Sequence, residues 1–530
     1  MAATRRSLVA LAAFCFLPAA CLAVDALFVD ESATWGVGLH VPEDGHGTGV
    51  TAVDFDDDGL IDLFVPQAAG TPDRLFHNQG NSFVEIAGSV GLDSLASSRT
   101  ALWLDYDGDA DLDLWVANDD VKAASSFALY RQDPGPTFVD VTVEAGVFKP
   151  PIVLQLPHHW AGLCAGDINR DGYLDVFTAQ WPGPGHLFLN TGVGGFTDIS
   201  DSSGVAIERN AHQCGMADFN GDGWTDIYVA IDFEPNLLWL NQQDGTFVES
   251  AAAAGLANAM NDMGLAFGDY DDDGDFDLYV TNIFLPDHPT GPRHNILLRN
   301  DSVGATLDFV EISEVLGVDN GHFGWGTSFI DADNDGDLDL AATNGWRSGP
   351  ELEDPSRFFE SPGDGSPFSD VSTAVGFDDT AWGSSLVSAD FDRDGDLDMI
   401  QACMPTRVAP ELRLLENQRP VGDGNYLVIR PRDAGPNYFA VGALVRAHVN
   451  GRTMLRRISA GTSYMGQEPL EAFFGVGAAS VVDWVTIEWP DGSSTTLTNV
   501  TANQELTVEK SVFADGFESG DTTAWSQTTN

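Results

Sequence analysis

One pattern constrains this chain more than any other. D-x-[DN]-x-D-[GA]-x-x-D occurs seven times between Asp54 and Asp398, at intervals of 51, 62, 51, 51, 62 and 59 residues. Repetition at such an interval marks a toroidal or solenoidal array in which each unit packs on its neighbours, not seven separate domains. The first copy, "DFDDDGLIDL", crowds carboxylates so tightly that without a cation the loop would repel itself. We number the copies loops 1 to 7.

The ligand positions are 1, 3, 5 and 9 of each loop. They are Asp54, Asp56, Asp58 and Asp62 in loop 1, and Asp105, Asp107, Asp109 and Asp113 in loop 2. Loop 3 has Asp167, Asn169, Asp171 and Asp175; loop 4 has Asp218, Asn220, Asp222 and Asp226. Loop 5 has Asp269, Asp271, Asp273 and Asp277; loop 6 has Asp331, Asp333, Asp335 and Asp339. Loop 7 has Asp390, Asp392, Asp394 and Asp398. The backbone carbonyl at position 7 completes each set: Leu60, Asp111, Tyr173, Trp224, Asp275, Asp337 and Asp396. All-oxygen ligation in a turn of this size selects a hard cation and favours Ca²⁺, for up to seven sites. The loops are not EF-hands, since position 12 of loop 1 is Val65 and the flanks are β-favouring. Glycine at position 6 permits the sharp reversal, and Ala110 in loop 2 is the one exception, expected to be strained.

Each unit carries four short β-favouring segments. A Gly/Ala-rich segment leads into the loop, "DLFVPQ" or "DIYVAI" follows it, then "RLFHNQG" or "LLWLNQQDG" with an Asn-containing turn, and finally a Phe-led segment such as "SFVEIAGSVGL". The Phe-led segments begin at Phe28, Phe83, Phe138, Phe196, Phe247, Phe309 and Phe368. The first precedes any loop, and none follows loop 7. The count balances only if the N-terminal strand completes the last unit. The expected fold is therefore all-β: a seven-bladed β-propeller over 24–418 with the N-terminal strand closing the last blade, followed by a small β-rich, sandwich-like domain over 419–510.

Acidic residues outnumber basic ones 81 to 24, for a formal charge of -57, which argues against nucleic acid or anionic membrane as a partner. Seven Ca²⁺ would add +14. Residues 1–23 have the form of an export signal, with Arg5 and Arg6 before an apolar run and cleavage after Ala23; lipidation at Cys21 is the alternative. No later segment is apolar enough to span a bilayer. Only Cys164, Cys214 and Cys403 then remain, so at most one disulfide can form. Strand parity places Cys164 and Cys214 on opposite sides, as buried thiols.

These loops between short strands resemble the FG-GAP/VCBS repeats of integrin α-chain propellers. The segment from Asn425 to about Val508 resembles the ASPIC/UnbV domain through "VGALVRAHVNG", "SAGTSYMGQ", "FFGVG" and "VTIEWPDG". The order of the two resembles the cartilage acidic protein-like family and its bacterial members. That resemblance implies an exported calcium-binding protein, extracellular, at the cell surface or periplasmic, active in binding or adhesion towards an extracellular protein or glycan. One bacterial branch is similar to a protein of enediyne biosynthesis clusters, which keeps open a biosynthetic enzyme or accessory protein with its site at the channel mouth or domain junction.

No P-loop, G-x-S-x-G, H-E-x-x-H or dinucleotide fingerprint is present, and "AGTSYMG" around Ser463 falls short of a nucleophile elbow. His46, His159, Asn210, Asn261 and His322 stand at the starts of the expected inner strands, where they would ring one channel mouth as ligands or serve simply as polar strand ends. Arg430, Arg432, Arg446, Arg452, Arg456 and Arg457 cluster in the C-terminal domain: a solvated face, a dock against the acidic propeller, or an anion site. The last stretch, "FADGFESGDTTAWSQTTN", is either a sorting or processing signal or a disordered end.

Overall fold

In the computed structural model the described residues are 27–510, apart from 39–41, 43–46, 120–124, 151–158, 284–293, 305, 321, 348, 405–411 and 421–423. The signal segment 1–23, His46 and the tail 511–530 lie outside them. The fold is all-β, made of many small antiparallel sheets with propeller-like organisation.

Seven of these sheets are built on a path of four hydrogen-bonded strands, sheet 4 with a fifth strand off that path, and we name each after its loop. Sheet 1 is Thr51–Val53, Asp62–Val65, Arg74–Asn78 and Phe83–Glu85. Sheets 2 to 6 open with Ser98–Leu104, His159–Gly166, Ala211–Ala217, Leu265–Gly268 and Gly324–Ile330. Sheet 7 consists of Trp382–Ala389, Asp398–Met404 and Leu412–Asn417, and its fourth strand is Phe28–Asp30. Phe28 pairs with Asn417 and Asp30 with Leu415, so the N-terminal strand joins the sheet of loop 7. The first strands touch in succession from sheet 1 through sheet 7, and the first strand of sheet 7 touches that of sheet 1.

In every sheet the loop joins the first strand to the second, and its position-9 Asp opens the second strand. The Phe-led segment is shorter as a strand than its sequence suggests. In sheet 1, Phe83–Glu85 gives way to a helical turn, Ala87–Val90, closed by Gly91 in the left-handed region (φ 93°). Gly255, which ends the same turn after sheet 4, would place a Cβ 2.3 Å from the Phe309 carbonyl of sheet 5. Only glycine allows that approach.

Asn425 opens the C-terminal unit, two sheets packed face to face. One holds Ala472–Gly477, Asn425–Arg432 and Gln504–Glu509, with the last two strands parallel; the other holds Arg452–Arg457, Leu444–Val449, Val481–Glu488 and Ser494–Thr501. The apolar cluster containing Val445, Ile487 and Phe474 is continuous with Trp103 and Leu104 of sheet 2, so both parts share one core.

Candidate functional site

Loops 1 to 4 share one hydrogen-bonded frame, and loops 6 and 7 keep part of it. In loop 1 the Asp54 carboxylate accepts the N–H groups of Asp58 and Gly59, each at 3.0 Å, and Asp58 accepts that of Leu60 at 2.9 Å. Position 4 is left-handed in every copy, as at Asp57 (φ 55°) and Arg393 (φ 60°), and so is position 6. Ala110 adopts this conformation at φ 73° without being glycine, as expected of a strained turn.

The position-9 carboxylate does more than the spacing suggests. Asp62 Oδ1 accepts the N–H of Asn78 at 2.7 Å and Oδ2 that of Phe55 at 3.3 Å, and the same pair of bonds recurs at Asp113, Asp175, Asp226, Asp277, Asp339 and Asp398. The Asn assigned to a turn makes that turn, Asn78 Oδ1 accepting the N–H of Gly80 at 2.8 Å, and is a latch as well. Asn78 Nδ2 donates to Ile61 O of its own loop and to Phe391 O of loop 7; Asn190 reaches Tyr106 O, Asn241 reaches Ile168 O, and Asn417 reaches Ala332 O. Each therefore ties its sheet to the loop of the preceding one.

The carboxylates fit a cation. Burial, with the charges of Asp56 and Asp54 added, lifts Asp62 to about 9; burial also lifts Asp54 to about 6 and Asp331 to about 7. Buried carboxylate oxygens with no hydrogen-bond partner include those of Asp56, Asp107, Asp269, Asp271, Asp331 and Asp390. Buried anionic oxygens without a donor need a metal or a proton. Groups able to hold a metal ion include Asp54, Asp56 and Asp62; Asp105, Asp107 and Asp113; Asp269, Asp271 and Asp273; and Asp331, Asp333 and Asp335. In loop 1, Asp56 and Asp58 also converge on His77, whose Nε2 lies 3.2 and 3.4 Å from them.

The six arginines of the C-terminal domain face the loops. Arg430 donates to the Gly59 carbonyl at 3.1 Å, and Arg432 lies 3.5 Å from Asp57. Arg446 donates to the Gly274 carbonyl at 3.1 Å; Arg452 pairs with Asp272 and Asp337 and donates to the Gly336 carbonyl. Arg457 donates to Met216 O, and Arg456 donates to Phe473 O in the attractive field of Asp331. Of the three readings of this cluster, docking against the acidic propeller describes most of these contacts. In the opposite direction, Arg393 of loop 7 pairs with Glu471 at 2.7 Å.

The segment Ala460–Glu468, which holds most of the "SAGTSYMGQ" piece of the ASPIC/UnbV resemblance and the incomplete elbow, reaches all seven first strands. Gln467 bonds the backbone of Val50 and Ala52 in sheet 1 and both backbone groups of Trp103 in sheet 2. Ala460 O accepts from Ala165 N, and Thr462 O from Gln213. Ser463 exchanges backbone bonds with Leu265, while its Oγ accepts the N–H groups of Thr327 (3.1 Å) and Leu386 (3.3 Å). Ser463 is thus a hub between sheets 5, 6 and 7 and has no base beside it. Glu468, whose pKa burial raises, bonds Ser328 and Ser388. The segment fills the space the first strands enclose. No periodicity or motif signals this, because its residues are chosen to match partners up to hundreds of positions away.

Of the proposed ring of strand-start residues, Asn210 and Asn261 meet at Asp232: the Asn210 carbonyl accepts its N–H, and Asn261 donates to its carboxylate at 2.7 Å. His159 bonds Asp119 and Arg99, and His322 bonds Arg357 and lies 3.4 Å from Asp354. The buried-thiol expectation is overturned: Cys164 and Cys214 form a disulfide, with Cα atoms 5.9 Å apart, while Cys403 is buried and outside it. The register shifts, between Trp160 and Leu163 in sheet 3 and between Ala211 and Gln213 in sheet 4, lie beyond the cysteines, so their parity relative to the loops stands. Neighbouring sheets meet through opposite faces, and opposite parity therefore brings the two sulfurs together.

Similarity to known proteins agrees with this arrangement. An "FG-GAP-like repeat" model matches residues 105–178, 167–229 and 218–280, and an "ASPIC and UnbV" model matches 433–513. Cartilage acidic protein 1 of Mus musculus is 26% identical over 468 residues, covering 84% of this chain and 62% of the relative. The Homo sapiens protein of that name is 25% identical over 475 residues, covering 84% and 60%. The chain thus spans about three-fifths of the length of these relatives. Among solved structures, BBS1N in complex with ARL6DN superposes with a TM-score of 0.45 at 10% identity, over 75% of this chain and 100% of that one. Rhamnogalacturonan lyase YesW gives 0.37 at 13%, over 74% and 76%. The chain carries FG-GAP-like repeats followed by an ASPIC and UnbV domain and is homologous to cartilage acidic protein 1.

Proposed function

We propose that this is an exported, calcium-loaded, seven-bladed β-propeller, its last blade completed by the N-terminal strand and its loop face capped by the C-terminal domain, acting as a binding protein outside the cytoplasm. The observation that carries the reading is the set of buried, donor-less carboxylate oxygens in the loops. Only a cation or protonation relieves them, and an all-oxygen set of this kind suits Ca²⁺. The disulfide Cys164–Cys214 and the homology to cartilage acidic protein 1 support an oxidising, extracytoplasmic setting. No helix among the described residues is long and apolar enough to cross a membrane. The partner class is an extracellular protein or glycan, and adhesion is the role that follows from it.

Exhaustive chelation tests the metal. An ion at 100 times its Kd contributes about 2.7 kcal/mol per site, so the melting temperature of the chelated protein should fall steeply and recover with Ca²⁺. An unchanged melt would overturn the reading. A second reading, an enzyme or accessory protein of a biosynthetic route, is favoured by an open cleft at the domain junction. Isolation of the gene beside natural-product genes would support it over the first.

A further inference from the structure

The C-terminal domain does not seat evenly on the ring. It meets the position-4 residue of loop 1 through Arg432, of loop 5 through Arg452 and of loop 7 through Glu471. At loops 3 and 4 a cleft of about 620 Å³ opens between it and the ring. Asp167, Arg170, Asp218 and Trp224 line one wall; Arg457 and Glu488 line the other. The Arg170 guanidinium lies 5.7 Å over the Trp224 ring and donates to the Asp491 carbonyl at 3.2 Å. Arg457 is held by the Met216 carbonyl, and the carboxylate whose charge acts on it is Asp218. Among the described residues, other arginines at this junction, Arg393, Arg430, Arg432, Arg446 and Arg452, are each paired with a carboxylate within the protein.

Charge in the sequence converges on the same place. Within positions 1 to 9, loops 1, 2, 6 and 7 hold five carboxylates each and loop 5 holds six, whereas loops 3 and 4 hold three each. Asn169 and Asn220 account for part of that difference, and Arg170 adds a positive charge to loop 3. On a chain of formal charge -57, an anion meets the weakest repulsion at these two loops, where two guanidinium groups line the cleft and cations bound in the loops would neutralise Asp167 and Asp218, leaving Glu488 as its other carboxylate. Hydroxyls of Thr486 and Ser494 and the indole of Trp224 add hydrogen-bonding groups and a flat apolar surface, the combination that a sugar ring requires. The cleft volume falls in the range of small-ligand sites.

We propose that the cleft between loops 3 and 4 and the C-terminal domain binds an anionic oligosaccharide, its acid groups taken by Arg457 and Arg170. This rests on the extracellular-binding reading and names its ligand. The test is isothermal titration of the full, Ca²⁺-loaded chain with trigalacturonate, a sulfated heparin tetrasaccharide, neutral maltotriose and a tetra-aspartate peptide. At least one acidic saccharide should bind with Kd below about 1 mM, about tenfold tighter than maltotriose or the peptide. Comparison of the first two decides between carboxylate and sulfate. Arg457→Gln and Arg170→Gln should each weaken binding about tenfold; Arg170 is exposed, so its variant tests the site even if loss of Arg457 disturbs the interface. Equal binding of maltotriose, tighter binding of the peptide, no saccharide binding, or full affinity in Arg170→Gln overturns the proposal. The calcium-dependent melt, measured on the same samples, reports on the metal reading separately.

Discussion

Ala110 is a single residue whose cost is legible from both directions. The pattern calls for glycine at position 6, and the backbone there is left-handed at φ 73°. A Cβ in that conformation costs about 1 kcal/mol, so Ala110→Gly should stabilise the protein by about that amount, seen as a higher denaturant midpoint with an unchanged slope. The loop aspartates were equally legible as a repeated cluster, since repetition removes the ambiguity of any one acidic turn. The latch asparagines were visible as a recurring letter but not as a function. Asn78 bonds Phe391 across 313 positions, and no local rule connects those residues.

At the scale of elements, strand order followed from composition and turn chemistry, while the Phe-led strands proved to be two to four residues long, followed in sheet 1 by a helical turn. Cys164 and Cys214 lie on opposite faces of their own sheets and bond because neighbouring sheets meet through opposite faces, which no count along one strand reveals. The segment Ala460–Glu468 is the element whose role depends most on context. It packs so closely that a Cβ on Gly49 would lie 1.9 Å from the Met465 carbonyl. Gly49→Ala should therefore displace this segment. The expected result is a lower melting temperature and faster proteolysis near 460–468, where the parent resists cleavage. Resistance equal to the parent would show that the segment can shift without leaving its place.

For the whole molecule, the loops set how stability depends on pH. Burial raises Asp54 to about 6, Asp331 to about 7 and Asp62 to about 9, all above the unfolded aspartate value of about 3.9. A carboxylate raised in the folded state supports folding below its unfolded pKa and loses that support as pH climbs through the folded value. The chelated protein should accordingly melt at a lower temperature at pH 8 than at pH 5. With Ca²⁺ the order should reverse, because cation and proton compete for the same oxygens. Thermal melts at both pH values, with and without chelator, check this; a chelated melt that rises with pH would contradict it.

By itself the sequence determined the repeat, the ligand types and the count of strands, because these are local or periodic and survive being read one unit at a time. It also carried the charge deficit of loops 3 and 4, though nothing marked that deficit as a site. Tertiary structure decided the rest. It turned six arginines onto the loop face, threaded Ala460–Glu468 among seven first strands and left a cleft beside loops 3 and 4. Those outcomes depend on shape and charge matching between segments far apart in the chain, and periodicity carries no record of such matching.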